Sequence, residues 1–193
     1  MSTTLDRTDA PVQEKAPIRL RLRPTMPADL AYVLALEKHA DHVGFVTPWE
    51  RAQHEAAIAF ADFRHCIIES GSGLEPAGYV ILNGCRNHNL SLELVRIVVQ
   101  TKGQGIGRAA LKAVKRIAFD DLGAHRLWLD VKAPNQRARG LYEAEGFRTE
   151  GCLRDAARSV QANGSIIFDD LIVLSMLRPE FAARRAQMQE LRA

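Results

Sequence analysis

The sequence predicts a mixed α/β fold: a mostly antiparallel sheet of about seven strands, with helices on both faces. Three apolar segments in succession, HCIIES, AGYVILNG and LSLELVRIVVQ, indicate an antiparallel meander. A glycine-rich loop, an amphipathic helix and the strand RLWLDVK follow, and this order indicates a strand–helix–strand crossover. A meander joined to a crossover is typical of a mixed sheet.

The remaining elements are predicted in order along the chain. IRLRLRP (18–24) alternates apolar and basic residues, as a half-exposed strand does. Two helices follow, the second with Thr47 as its N-cap and Pro48 in its first turn. The predicted bounds are 27–39 and 47–63 for these helices, 105–122 for the helix after the glycine loop, 126–132 for the next strand, a short helix from Asn135, and strands near 147–154 and 165–176.

Length and composition favour one domain with two terminal additions. The 193 residues are 47% hydrophobic and 25% charged, as in a soluble globular protein. Residues 1–16 are predicted to be a disordered leader, 17–178 the domain, and 179–193 a C-terminal helix. The leader lacks the apolar segment of a signal peptide, so we expect a cytoplasmic protein.

Charge and cysteine usage exclude several functional classes. The net charge of +3 is spread along the chain, and no apolar segment reaches the length of a bilayer span, so neither a nucleic acid nor a membrane is an expected partner. The three cysteines are far apart and are predicted to be buried free thiols. The histidines and acids lack metal-ligand spacing, so no metal site is expected.

The segment VVQTKGQGIGRAAL passes from a strand through alternate glycines into a helix. Bare backbone N–H groups at a helix N-terminus bind phosphate. The glycines could instead form only a tight turn. A dinucleotide-binding fingerprint is disfavoured because too little chain follows and no acid ends a second strand, and a Walker A loop is excluded because no Gly-Lys-Ser/Thr follows.

Two motifs together resemble a known superfamily. LELVRIVVQTKGQGIGRAAL, followed by LDVKAPNQRARGLYEAEGF, is similar to the GNAT superfamily of N-acetyltransferases, and most similar to its Rim-type, ribosomal-protein branch. The resemblance covers about residues 18–177. It implies a GNAT-type fold, in which strands 4 and 5 splay apart, and acetyl-CoA as cosubstrate.

The resemblance also implies a cofactor-binding set. The family's loop binds the pyrophosphate of acetyl-CoA through backbone N–H groups, the end of the fourth strand pairs with the pantetheine arm, and an Asn contacts the cofactor. Lysine stands at position 102, where the family has Gln or Arg. The corresponding residues here are Ile97, Val98, Val99, Lys102, Gly103, Gln104, Gly105, Ile106, Gly107 and Asn135, with Arg108 as a second cation.

The catalytic residues are implied in the same way. Tyr142 matches the acid that protonates the departing thiolate. Glu93 matches the base of the histone-acetyltransferase branch, and Asp130 matches the glutamate used by a Rim-type enzyme, shortened by one methylene. We favour Glu93 slightly, although either carboxylate could instead form a structural pair with Arg96 or Arg126.

The predicted activity is direct transfer of an acetyl group from acetyl-CoA to a primary amine in a ternary complex. At pH 7 an α-amine is about one tenth deprotonated and a lysine amine about one part in 2,500, which favours a protein or peptide N-terminus as acceptor. The alternatives are a small-molecule amine, such as a polyamine, aminoglycoside or amino acid, and a non-catalytic acyl-CoA-binding module. The chain is expected to be a monomer or a homodimer.

Overall fold

The computed structural model describes residues 18–160 and 163–191, so the predicted leader (1–16) lies outside the described residues. The described residues include seven strands and five α-helices. They are β1 (Leu20–Pro24), α1 (Leu30–Glu37), α2 (Arg51–Ala59), β2 (Arg64–Ser70), β3 (Glu75–Asn83), β4 (Ser91–Val99), α3 (Ile106–Arg116), β5 (Arg126–Lys132), α4 (Gln136–Ala144), β6 (Arg148–Val160), β7 (Ile166–Leu177) and α5 (Arg178–Glu190).

The strands form one mixed sheet in the order β1-β2-β3-β4-β5-β7-β6. Among the described strands, β4 and β5 are the one parallel pair, and all other neighbours are antiparallel. Their pairing ends where Glu93 faces Trp128, although β4 continues to Val99 and β5 to Lys132. The two strands therefore splay apart, which confirms the predicted fold class.

Apolar residues on the two faces of the sheet form two separate cores. One packs α3 against the sheet through residues such as Leu111, Val114 and Leu127. The other packs α1 against the opposite face through Val33 and Tyr79. Helices therefore cover both faces, as predicted. No helix among the described residues is both long and apolar enough to cross a membrane.

The predicted bounds of the second helix, which ends at Ala59 and not at residue 63, and of the sixth strand were wrong. The second helix begins at Arg51 rather than at the predicted Thr47 cap, because Glu50 is the N-cap and its backbone N–H donates to the Gln53 side chain at 2.8 Å. The sixth strand extends six residues past its predicted end, to Val160. Its register shifts twice against β7 and its residues are nearly all exposed, so it lacks the alternation that marks a strand.

The cysteines are only partly as predicted. Cys66 is buried in the sheet, Cys85 is half-buried, and Cys152 is exposed on the edge strand β6. The prediction of a buried thiol was therefore wrong for Cys152, because β6 is covered by no helix over most of its length. All three thiols are free.

Candidate active site

The glycine loop has the geometry of an anion site. Gly103 and Gly105 have φ of +84° and +80°, a left-handed conformation that other residues rarely adopt. Gly105 is the N-cap of α3, and the first backbone bond into the helix runs from the Ala109 N–H to the Gly105 carbonyl at 3.0 Å. The N–H groups of Ile106 and Gly107 therefore have no acceptor within the helix and can bind an anion.

A cavity of about 540 Å³ runs from this loop along the end of β4 to α4. The N-terminus of α3 and the end of β4 that lies beyond its pairing with β5 both border it, so it joins the anion site to the splayed end of β4. The predicted cofactor residues other than Gln104 border it. The site residues predicted from the sequence that line the cavity are Ile97, Val98, Val99, Lys102, Gly103, Gly105, Ile106, Gly107, Arg108, Asn135 and Tyr142.

The cations at the cavity are arranged differently from the sequence prediction. The Lys102 ammonium donates to the backbone carbonyl of Asp41, and Arg108 pairs with Glu145 at 3.3 Å. A third cation, Arg137, borders the cavity, with a terminal nitrogen 3.8 Å from the position that a Cβ on Gly103 would occupy. Arg137 was not among the predicted residues, although its position two residues after the predicted Asn135 was a usable signal.

Asn135 and Tyr142 both belong to α4. The Asn135 side-chain oxygen accepts from the Ala138 N–H at 3.2 Å, so Asn135 is the helix N-cap. The Tyr142 ring is 7% exposed and lies edge-on to Phe147. Within the described residues its hydroxyl makes no hydrogen bond. Burial first and the charge of Asp130 second raise the pKa of Tyr142, so the phenol stays protonated.

Glu93 and Asp130 do not border the cavity. They lie on β4 and β5 at the splay, on the sheet face opposite α3. Burial raises the pKa of both carboxyls, and the nearby charge of Asp130 raises that of Glu93 further, while a hydrogen bond from Asn83 opposes this. A carboxylate with a raised pKa is a stronger base, so the arrangement suits proton removal.

The possible structural pairing of these carboxylates was wrong. Arg96 instead contacts the buried Glu37, and Arg126 contacts Glu150. Within residues 18–160 and 163–191, no cation lies within ion-pair distance of Glu93 or Asp130. Glu93 and Asp130 therefore both lack a partner cation, and each lies on one of the two strands that flank the splay.

Three other polar residues from the segments around α1, α2 and β7 are dispersed. His42 borders the cavity, but His54 is fully buried between α2 and the sheet. Asp169 pairs with Lys132 at 3.2 Å. In the part of the chain that the structure describes, no three His, Cys, Asp or Glu side chains are grouped as metal ligands.

Comparison with known proteins gives consistent results. The model of the acetyltransferase (GNAT) family matches residues 30–147. Spermidine N(1)-acetyltransferase of Escherichia coli K12 is 27% identical over 143 residues, which cover 68% of this chain and 74% of that protein. These matches support the superfamily and do not single out the Rim-type branch.

Solved structures share the fold. Spermidine N-acetyltransferase from Vibrio cholerae, in a complex with CoA and spermine, has a TM-score of 0.73 and 23% identity, covering 84% of this chain and 98% of that one. A dodecameric structure of the same enzyme has a TM-score of 0.69 and 22% identity, covering 86% and 97%.

Proposed function

Because this chain belongs to the GNAT acetyltransferase family and is an acetyl-CoA-dependent N-acetyltransferase, we propose that its acceptor is a small cationic amine of the polyamine class. The observation that carries this proposal is the pair of carboxylates without partner cations, Glu93 and Asp130, at the splay. Carboxylates on the two strands that flank the splay attract a polycation when they are ionised, and the relatives named above act on spermidine.

The proposed cofactor site uses the cavity. The pyrophosphate binds the N–H groups from Gly103 to Gly107 at the start of α3, with Arg137 as a nearby cation. The pantetheine arm lies along Ile97–Val99, where β4 has left β5. Backbone N–H groups of β4 then stabilise the oxyanion of the tetrahedral intermediate.

The proposed chemistry divides the proton transfers between the two sides of the splay. The amine nitrogen attacks the thioester carbon while Glu93, through a water molecule, accepts the amine proton. As the carbon–sulfur bond breaks, Tyr142 donates its proton to the thiolate. No cysteine borders the cavity within the described residues, which agrees with direct transfer rather than an acetyl-enzyme.

This proposal replaces the predicted N-terminal amine as the main acceptor. The prediction rested on the small fraction of a high-pKa amine that is deprotonated at pH 7. A weak base would not remove the proton from the remaining ammonium efficiently. The raised pKa values of Glu93 and Asp130 provide a stronger base than the prediction assumed. A peptide N-terminus remains the second acceptor class to test.

Thiol release from acetyl-CoA tests the proposal. We expect rapid release with spermidine and spermine, and slow release with peptides bearing a free N-terminal Ala, Ser or Met, peptides with only Lys amines, and aminoglycosides. The Glu93→Gln/Asp130→Asn double variant should raise the spermidine KM at least tenfold. Its spermidine KM should also depend less on salt concentration than that of the wild type, because the variant lacks the attracting charges. Faster release with a peptide than with any polyamine would overturn the assignment.

A further inference from the structure

A buried carboxylate lies at the end of α1, next to the loop that joins α1 to α2. Glu37, at the end of α1, is fully buried, and its oxygens accept from the Tyr79 hydroxyl, the Arg96 guanidinium and, at 2.8 Å, the Trp49 backbone N–H. Burial opposes its charge, but the hydrogen bond from Tyr79, the charge of Arg96 and the His54 ring nitrogen 3.5 Å away lower the pKa of Glu37 to about 2. Glu37 is therefore a fixed negative charge inside the protein.

Arg96 connects this charge to the catalytic strand. The β3–β4 register shifts immediately before Arg96, which is followed by the segment Ile97–Val99 at the cavity. Besides Glu37, the guanidinium donates to the Thr47 carbonyl at 2.7 Å and lies 4.7 Å from the centre of the Trp49 ring. One planar cation thus makes three contacts in different directions, which a lysine ammonium cannot reproduce.

The loop between α1 and α2 (residues 38–50) receives three such contacts. Lys102 of the glycine loop donates to the carbonyl of residue 41, Lys132 of β5 to that of residue 44 at 2.9 Å, and Arg96 of β4 to that of residue 47. The three carbonyls are three residues apart, and each cation comes from a different element of the site. The position of the α1–α2 loop therefore depends on β4, on β5 and on the glycine loop.

We propose that Arg96, held in place by Glu37, is a positioning residue that sets the α1–α2 loop and thereby controls recognition of the amine acceptor. Arg96 touches neither proposed substrate, so its effect is transmitted through Thr47 and Trp49. The proposal rests on the proposed function in one respect: the acceptor lies on the face of the sheet that bears Glu93 and Asp130.

The experiment compares Arg96→Lys with the double variant Glu37→Gln/Arg96→Gln. Removing Arg96 alone would leave a buried charge without its partner, and the double variant avoids this by neutralising both. Glu69→Gln is the matched control, because Glu69 is also buried and pairs with two arginines, Arg21 at 2.5 Å and Arg23 at 2.7 Å, but on β2 and away from the cavity.

We expect both Arg96 variants to raise the acceptor KM at least tenfold, with less than a threefold change in kcat and in the acetyl-CoA Kd. Glu69→Gln should leave all three constants within twofold. The acceptor is spermidine, or the best peptide of the panel if peptides are preferred, so failure of the polyamine assignment does not remove this test. An acceptor KM within twofold of wild type in both Arg96 variants would overturn the proposal, as would an equal rise in the control.

Discussion

Replacement of Tyr142 by Phe would remove one hydroxyl group and no hydrogen bond among the described residues. The ring would keep its edge-on contact with Phe147, so the variant should fold with an unchanged thermal midpoint. The raised pKa of Tyr142 keeps the phenol protonated at working pH, as a proton donor must be. The variant therefore separates the proposed acid role from packing.

The expected loss is moderate. A thiol with an ordinary pKa of about 8.5 leaves without much assistance, so we expect kcat to fall about 10- to 100-fold, or roughly 1.4 to 2.8 kcal/mol of transition-state stabilisation. Acetyl-CoA affinity should stay within threefold, because the hydroxyl is needed only when the thiolate departs.

Thiol release under saturating acetyl-CoA and spermidine measures kcat, and calorimetry measures acetyl-CoA binding. Tyr32→Phe is the matched control, because the Tyr32 hydroxyl bonds Gln100 at 3.1 Å outside the cavity and its loss should leave kcat within twofold. A Tyr142→Phe enzyme that retains more than half of the wild-type kcat would refute the acid role. A parallel loss of kcat and thermal stability would show that the hydroxyl is structural.

Three further predictions concern the cofactor loop, the base and acid stability. Gly105→Val forces a side chain into φ of +80° and places its Cβ 2.9 Å from the Ile18 side chain, so acetyl-CoA affinity measured by calorimetry should fall more than tenfold; an unchanged Kd would contradict the pyrophosphate site. kcat/KM should rise with pH in two steps, the lower as the base loses its proton and the upper as the acceptor amine does; Glu93→Gln should abolish the lower step while Asp130→Asn keeps it, and the reverse result would make Asp130 the base. His65 has its pKa lowered from 6.5 to about 4 by burial, so the unfolded chain binds its proton first as pH falls. The free energy of unfolding in urea should therefore drop by at most about 3 kcal/mol between pH 6.5 and 4, and His65→Gln should flatten this slope; an equal slope in the variant would exclude His65 as its cause.

The cofactor side of the site could be predicted because it is local in sequence. The glycine loop, the strand before it and the helix after it are continuous, and their conformations follow from positive φ and helix capping. Likewise, Asn135 and Tyr142 lie on one short helix with a recognisable start. Backbone geometry of this kind is encoded by a few adjacent residues.

Contacts between distant segments could not be predicted in the same way. The Thr47-Pro48 pair has the pattern of a helix start, yet the helix begins only after Glu50. The Thr47 carbonyl instead accepts a hydrogen bond from Arg96, 49 residues away. The Lys102 ammonium reaches a carbonyl 61 residues away. Local pattern cannot reveal such partners, because each side chain alone is compatible with exposure to solvent.

The same distinction explains why shared cofactor motifs do not determine the acceptor. The proposed acceptor face combines side chains from β4, β5 and the α1–α2 loop, which are distant in sequence. Arg96 pairs with Glu37 and not with Glu93 or Asp130, so within the described residues both of those carboxylates lack a partner cation. A polyamine has one amine to be acetylated and further amines that carboxylates can hold by charge. A peptide N-terminus offers only the amine that reacts. On the proposed assignment, acceptor choice depends on Glu37, the buried partner of Arg96, as well as on the carboxylates themselves.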